Sequence, residues 1–138
     1  MALTEIGGTV GDIESLPFLE AIRQMRKDVG PENTCFVHVT LVPYLSHTEE
    51  LKTKPTQHSV AELRSRGIQP DIIVVRSGRG IDDPARRKIS LFCDVDTSAV
   101  IDATDVDNLY AIPLTLHEGG FDAAVLRSLG LGAPDPDL

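Results

Sequence analysis

The chain has 138 residues, which is enough for one domain with a core of its own. Hydrophobic residues make up 41% and aromatic residues only 4%, with no Trp, so we expect an aliphatic core and no segment that crosses a membrane. The net charge of −8 argues against general binding to nucleic acid, and the sequence carries no recognisable targeting signal, which predicts a cytoplasmic protein.

Helices alternate with short apolar strands along most of the chain. Helices are indicated by apolar residues at helical spacing and by capping residues, and strands by short runs rich in Val, Ile and Thr. In chain order the predicted elements are a helix over 15–29, a buried strand over 34–42, a polar loop over 45–57, a helix over 59–66, a strand over 71–76, a helix over 83–92, a strand over 100–101 and a helix over 121–129. The expected caps are Ser15, a capping box that begins at Ser59, and Asp83, and the helix over 59–66 has an alternative start near Pro55. This alternation predicts an α/β protein with a mostly parallel sheet covered by helices on both faces.

Loops at the carboxyl ends of the strands are where ligands bind in such folds. The loops 7–14, 43–57 and 76–83 are each expected to follow a strand, so we expect all three to open on the same edge of the sheet. On this interpretation residues 4–6 form the end of a strand, and the tail over 133–138 is a linker.

Three groups of polar residues could carry chemistry. Glu5–Ser15 combines carboxylates with glycines, which suits a close approach to a ligand and to Mg²⁺. Lys52–His58 places two lysines and two hydroxyls before a helix, where anions bind well, and Arg86–Lys88 is a cationic run. Each has a purely structural alternative: a glycine turn capped by Asp12 or Ser15, a solvated basic loop, and an exposed helix face.

Several common catalytic patterns do not occur in the sequence. It contains no G-x-x-x-x-G-K-[ST] P-loop, no Ser/His/Asp nucleophile motif and no cysteine pair at metal-ligand spacing. Cys35 and Cys93 lie in apolar sequence and are interpreted as buried reduced thiols, and His38 as a structural histidine within a strand.

Two long strings resemble blocks of the CTP synthase family. EIGGTVGDIESLPF, over 5–18, is similar to the family signature, and KTKPTQHSV, over 52–60, is similar to a second block. Shorter matches follow in family order at 67–71, Arg76, Lys88 and 105–107. The resemblance implies a Rossmann-like fold similar to P-loop dethiobiotin synthetases, although the second block argues against that enzyme itself. It implies a ligase of pyrimidine biosynthesis that aminates UTP to CTP with ATP, Mg²⁺ and glutamine-derived ammonia.

The resemblance implies a role for each matching residue. Glu5 corresponds to a Mg²⁺ ligand, and Lys52 and Lys54 correspond to catalytic residues that neutralise the triphosphate. Asp12, Ile13 and Glu14 correspond to a contact with CTP that is supplied by a neighbouring subunit of a homotetramer. The other implied UTP or CTP contacts are Thr53, Pro55, Thr56, Gln57 and Lys88, and the implied ATP contacts are Arg76, Thr104, Asp105 and Val106.

The resemblance also implies which parts of such an enzyme the sequence contains. Residues 1–132 correspond to the later part of the amidoligase (synthetase) domain, truncated at its amino terminus so that the P-loop is missing. Residues 133–138 correspond to the start of a linker towards a glutaminase domain that is missing here. We therefore expect the isolated chain to be inactive. The alternatives are a module that binds UTP or CTP and assembles tetramers without catalysis, and a chain that does not fold alone because its sheet has unpaired edges.

Overall fold

A parallel sheet of three strands forms the centre of the protein, which a computed structural model describes over residues 1–137. The strands are β1 (Val37–Leu41), β4 (Ile72–Ser77) and β5 (Val100–Thr104), in the order β1-β4-β5. Val37 pairs with Ile72 and Ile73 pairs with Val100. A short antiparallel hairpin of β2 (Tyr44–Leu45) and β3 (Glu50–Leu51) follows β1. The predicted α/β class with a parallel sheet is confirmed.

Helices cover both faces of this sheet. They are α1 (Leu16–Val29), α2 (Lys54–Ser65), α3 (Asp83–Cys93), α4 (Ile112–Glu118) and α5 (Phe121–Ser128). Side chains alternate along β4, so that Ile73 and Val75 pack in the core under α2 and α3, whereas Ile72 and Val74 pack under α4 and α5. None of the helices described over 1–137 is both long and apolar enough to span a bilayer.

β1 is an edge strand, and one of its faces is uncovered. Val37, Val39 and Leu41 are 38%, 58% and 60% exposed, because α4 and α5 lie over β4 and β5 only. The prediction of a fully buried strand over 34–42 is therefore wrong: the strand is shorter and alternates between half-buried and exposed residues.

The start of α2 agrees with the earlier of its two predicted positions. The helix begins at Lys54, next to Pro55, rather than at Ser59, because proline is well accommodated in a first helical turn. Ser59 is therefore inside the helix and does not cap it; its Oγ instead lies 2.9 Å from His38 Nε2.

Helices α1, α3 and α5 lie close to their predicted positions, with local differences, whereas α4 was not predicted. Ser15 precedes α1 but does not cap it, since its hydroxyl donates to the carbonyl of Gly7. Asp82, not Asp83, caps α3 by accepting a hydrogen bond from the Ala85 N–H at 2.8 Å. β5 extends to Thr104, three residues beyond the predicted strand end.

The amino-terminal residues contain no strand. Residues 1–12 have no regular secondary structure, and a single 3-10 turn, Ile13–Ser15, leads into α1. The expected strand end over 4–6 is therefore not present. At the other end, residues 131–137 are irregular, as the linker prediction over 133–138 requires, and Leu138 lies outside the described residues.

Candidate functional site

The carboxyl edge of the parallel sheet brings together two of the three predicted loops, 43–57 and 76–83. β1, β4 and β5 all end there, and the segments that follow them carry the lysine loop (residues 52–57), the turn at 78–81 and the turn at 105–108. Loops at this edge are the usual ligand sites of open α/β sheets.

The lysine loop contains the amino terminus of α2, because its last four residues, 54–57, form the first turn of that helix. Lys54 is exposed at the first helical position, and the N–H groups of the first turn point away from the helix, which favours anions there. Lys54 takes part in no ion pair within residues 1–137. Lysine side chains at a helix amino terminus can neutralise a polyphosphate.

The two threonines of the loop face the protein interior. Thr53 and Thr56 are only 4% and 0% exposed. Thr56 Oγ1 lies 2.9 Å from Thr40 Oγ1 on β1, and Thr53 Oγ1 accepts a hydrogen bond from Gln57 Nε2 at 3.0 Å. The Thr56 hydroxyl holds the loop on the sheet and the Thr53 hydroxyl braces it internally. Both hydroxyls are buried, so at these positions the loop can offer a ligand its backbone but not its hydroxyl groups.

Lys52 is paired with a carboxylate that the sequence did not single out. Its Nζ lies 2.5 Å from Oε2 of Glu50, at the end of the hairpin. The hydrogen bond from Lys52 lowers the pKa of the Glu50 carboxyl, and the charge of Lys88 on α3 lowers it further. Lys52 and Lys88, which are distant in sequence, therefore act on the same small region.

A second cation, Arg79, packs on the hairpin at Tyr44. The guanidinium of Arg79 lies 4.2 Å from the centre of the Tyr44 ring, within cation–π range. Asp102 supports this arrangement, because its carboxylate accepts the Ile81 N–H at 2.9 Å and leaves little room at Gly80, where a Cβ would lie 3.1 Å from Oδ2. Neither Glu50 nor Arg79 belongs to a motif, and only the fold brings them to the loop.

The cationic run on α3 has mixed roles. Arg86 is half-buried and its Nη1 donates to the carbonyl of Val100, which ties α3 to the start of β5. Arg87 and Lys88 are exposed. The helix-face alternative therefore describes both, and Lys88 is close enough to the hairpin for its charge to lower the pKa of Glu50.

An apolar cavity of about 320 Å³ lies on the opposite face of the sheet, at the same edge. Four residues predicted to contact ATP line it: Arg76, Thr104, Asp105 and Val106. Its remaining walls come mainly from apolar residues of the sheet, of the 3-10 turn Leu109–Ala111 and of α4, among them Val74, Leu109 and Leu116. A cavity with apolar walls and a few polar groups at its mouth suits a flat heterocycle attached to a charged group.

The amino-terminal loop lies elsewhere. Ile6 and Val10 pack against a cluster built on Leu19, Leu63 and Ile68, near the carboxyl end of α2. Phe36 and Ile68 of this cluster precede β1 and β4, so the amino-terminal loop packs at the amino edge of the sheet, opposite to the lysine loop. The expectation that all three loops open on one edge is therefore wrong for 7–14.

Asp12, Ile13 and Glu14 all lie in this distant loop. Asp12 closes the turn by accepting the Thr9 N–H at 2.8 Å, which is the structural alternative considered for this segment. Ile13 is 81% exposed, and Glu14 is also exposed. Within one chain these residues therefore belong to the opposite edge of the sheet from the lysine loop.

The residues present fit Mg²⁺ only as an ion bound mainly by phosphate. Glu5 is an exposed carboxylate beside Gly7, and residues 1–137 contain no group of three or more metal-binding side chains. Mg²⁺ is often held by one or two carboxylates together with substrate phosphates and water, rather than by a protein cage.

The thiols and the strand histidine are unsuited to catalysis. Burial raises the pKa of Cys93 to about 11 and also raises that of the half-buried Cys35, so neither forms the thiolate that a nucleophile requires. Burial lowers the pKa of His38, whose ring is engaged with Ser59. The prediction of a structural histidine agrees with these contacts.

Comparisons with known proteins agree on one family. The family model for the CTP synthase N-terminus matches residues 1–131. CTP synthases of Clostridium perfringens strain SM101 and Bacillus velezensis are 63% and 62% identical, over 99% and 100% of this chain. The CTP synthase of Bacillus subtilis is 59% identical over 100% of it. In each case the chain spans 26% of the relative's length.

Proposed function

This chain belongs to the CTP synthase N-terminus family, and on that premise we propose that it supplies the pyrimidine-nucleotide side of an amidoligase site. The reaction is the amination of UTP to CTP, with ATP and with ammonia released from glutamine. The observation that carries this proposal is the lysine loop at the head of α2, with Lys88 beside it. A protein of net charge −8 must bind a nucleoside triphosphate through such a local positive cluster.

Each part of the loop has a distinct role in this proposal. Lys52, Lys54 and Lys88 neutralise the triphosphate, and the two lysines of the loop continue to do so as charge develops during phosphoryl transfer. Pro55 and Gln57 complete the surface that the nucleotide contacts. Thr53 and Thr56 contribute through the backbone, since their hydroxyls are engaged within the protein.

ATP occupies the other face of the same edge. Its adenine enters the cavity beside Thr104, Asp105 and Val106, and Arg76 meets its phosphates. The two nucleotides then approach each other across the ends of the strands, where the phosphoryl group passes to the 4-oxygen of UTP. Glu5 lies next to the amino-terminal loop, away from this edge, so a second copy of the chain would have to supply it at these phosphates. There it would hold Mg²⁺, which would neutralise phosphate charge when bound.

Calorimetric titration of CTP tests the lysine loop. The double variant Lys52→Ala/Lys54→Ala should lower the affinity at least tenfold, since each charge-assisted contact contributes about 1.5 kcal/mol or more. Lys27→Ala/Arg127→Ala is the matched control, because it removes the same charge from exposed positions on α1 and α5. Equal affinities for the two double variants would refute the assignment.

We propose that the 138 residues do not aminate UTP by themselves. They contain no P-loop sequence, and the cavity proposed for adenine has no glycine-rich phosphate loop beside it within 1–137. Incubation of the chain with UTP, MgATP and ammonia, followed by chromatography of the nucleotides, should yield no CTP above a protein-free control. Production of CTP in proportion to the chain would contradict this.

We also propose that the CTP site is completed by a second copy of the chain. This is favoured by the distance between the lysine loop and the Asp12–Glu14 segment, and by apolar side chains exposed beside that segment: Ile13 at 81% and Phe18 at 62%. On this view the chain is a binding and assembly module of a cytoplasmic homotetramer. Sedimentation velocity should show CTP-dependent association that Phe18→Glu abolishes, and a monomer at all CTP concentrations would argue against it.

A further inference from the structure

The carboxylate of Glu50 is placed to interact with the cation that the proposed function reserves for phosphate. Glu50 Oε2 lies 2.5 Å from Lys52 Nζ, and the charge of Lys88 also acts on it. The Glu50 side chain is 53% exposed, so it can move into solvent without unfolding the hairpin. Lys54, by contrast, has no such partner within the described range 1–137.

The geometry points to Glu50 as an internal competitor for the triphosphate site. A carboxylate and a phosphate offer a lysine the same kind of contact, a charge-assisted hydrogen bond to an anionic oxygen. A triphosphate that binds Lys52 must therefore displace Glu50. Glu50 sets the affinity of the site, because part of the binding free energy is used to break this ion pair. The inference rests on the proposed function, since it takes the lysine loop as a triphosphate site.

The turn of the hairpin directs Glu50 towards the lysine. Glu49 has φ of 51°, a left-handed conformation that few side chains adopt readily, and it brings the chain back so that Glu50 pairs with Leu45. Lys52 is fixed from the other side, because its backbone N–H donates to the carbonyl of Pro43 at 2.9 Å. The two side chains therefore meet at a fixed place next to the head of α2.

Glu49 supplies a matched control. It is exposed, adjacent in sequence and of the same charge, yet it forms no ion pair within residues 1–137. Glu50→Gln and Glu49→Gln therefore change the net charge equally, and only the first removes the competitor. Glu50→Asp keeps the charge but shortens the reach to Lys52.

The experiment measures the affinities of wild type and these three variants by calorimetry, for inorganic tripolyphosphate and for CTP, with and without Mg²⁺. Glu50→Gln should bind both ligands about twofold to fivefold more tightly than wild type, and Glu49→Gln by a clearly smaller factor. Glu50→Asp should fall between wild type and Glu50→Gln. The difference between the Gln variants should shrink at high salt, which screens exposed ion pairs.

The other possible results would overturn the role of Glu50, the proposed function, or both. Equal gains in affinity for Glu50→Gln and Glu49→Gln would overturn the proposed role of Glu50, because the gains would then follow from the change in net charge alone. Weaker binding by Glu50→Gln in the presence of Mg²⁺ would also overturn it, by showing that the carboxylate holds the ion. If tripolyphosphate binds and CTP binds no more tightly, the pyrimidine assignment fails, while Glu50 is still judged on tripolyphosphate. If neither ligand binds any variant, both the proposed function and the competitor are refuted.

Discussion

Thr40 and Thr56 form the hydrogen bond that holds the head of α2 on the sheet. Their Oγ1 atoms lie 2.9 Å apart, and Thr56 is 0% exposed. Thr40→Val leaves the buried hydroxyl of Thr56 without its partner, which costs about 1–3 kcal/mol of unfolding free energy. Thr56→Val leaves the half-buried hydroxyl of Thr40 instead, so we expect a smaller loss for that variant.

The double variant Thr40→Val/Thr56→Val makes the prediction sharper. Replacing both hydroxyls by methyl groups of similar shape leaves no unpaired polar group. The loss of unfolding free energy in the double variant should therefore be about 1 kcal/mol smaller than the sum of the losses in the two single variants. The assay is urea unfolding followed by circular dichroism. Thermal midpoints should shift by about 4 °C for each kcal/mol in a chain of this size.

One outcome would refute the reasoning directly. If the two single losses simply add in the double variant, to within about 0.5 kcal/mol, the hydroxyls do not interact. A larger loss for Thr56→Val than for Thr40→Val would show that the burial of the two side chains has been assigned in the wrong order.

Three further predictions concern pH, thiol reactivity and an ion pair. Burial lowers the pKa of His38 in the folded state, so the unfolded chain takes up a proton first as the pH falls. The unfolding free energy measured by urea titration should therefore decrease from pH 7.5 to pH 5.5, and His38→Gln should lose that dependence. Cys93, with a pKa of about 11 and no exposed surface, should resist Ellman's reagent at pH 8 more strongly than Cys35, and both should react in urea. Asp71 accepts hydrogen bonds from Arg26 at 2.5 Å and from a backbone N–H, so Asp71→Ala should lower the unfolding free energy by about 2 kcal/mol.

Each of these has its own contrary result. A pH dependence that survives in His38→Gln would assign it to other groups. Faster labelling of Cys93 than of Cys35 in the folded protein would contradict its burial. For the ion pair, Asp96→Ala is the control, since Asp96 precedes a 3-10 turn without forming a side-chain cap; equal losses for the two Asp variants would show that the Asp71 contacts contribute nothing.

The parts of the fold that sequence predicts well are those with local causes. β4 lies within one residue of its prediction because four consecutive Ile and Val residues, Ile72–Val75, have a strong preference for a buried strand. α5 ends near Gly130 as expected from the glycine there. In both cases the determining chemistry lies within the segment itself.

The parts that sequence predicts poorly depend on packing between distant segments. The capping-box pattern at Ser59 is a sound local signal, but Ser59 instead meets His38 on the neighbouring strand. The apolar spacing of α1 predicts its helical conformation, yet Phe18 and Met25 on that stripe are 62% and 54% exposed while the adjacent Leu19 is buried. Which side of a helix is covered is decided by the elements that pack on it, and a single sequence does not specify these.

The candidate site divides in the same way. The lysine loop and its place before a helix follow from the sequence. The pairing of Glu50 with Lys52 and the stacking of Arg79 on Tyr44 do not, because they depend on a hairpin that the sequence presents only as a polar loop. The sequence alone also did not show that the amino-terminal loop and the lysine loop lie apart, because that depends on how α1 and α2 pack.

The strand order has a consequence for how the chain folds. β4 is the central strand, and its pairing with β1 joins residues that are 35 positions apart, Val37 and Ile72. On a growing chain, β1 and the lysine loop therefore have no sheet to join until Ser77 has been synthesised. Such pairings form slowly because a long loop must be closed before any contact is gained. The lysine loop is thus made before the central strand, yet it acquires its fixed geometry only after β4 has been added.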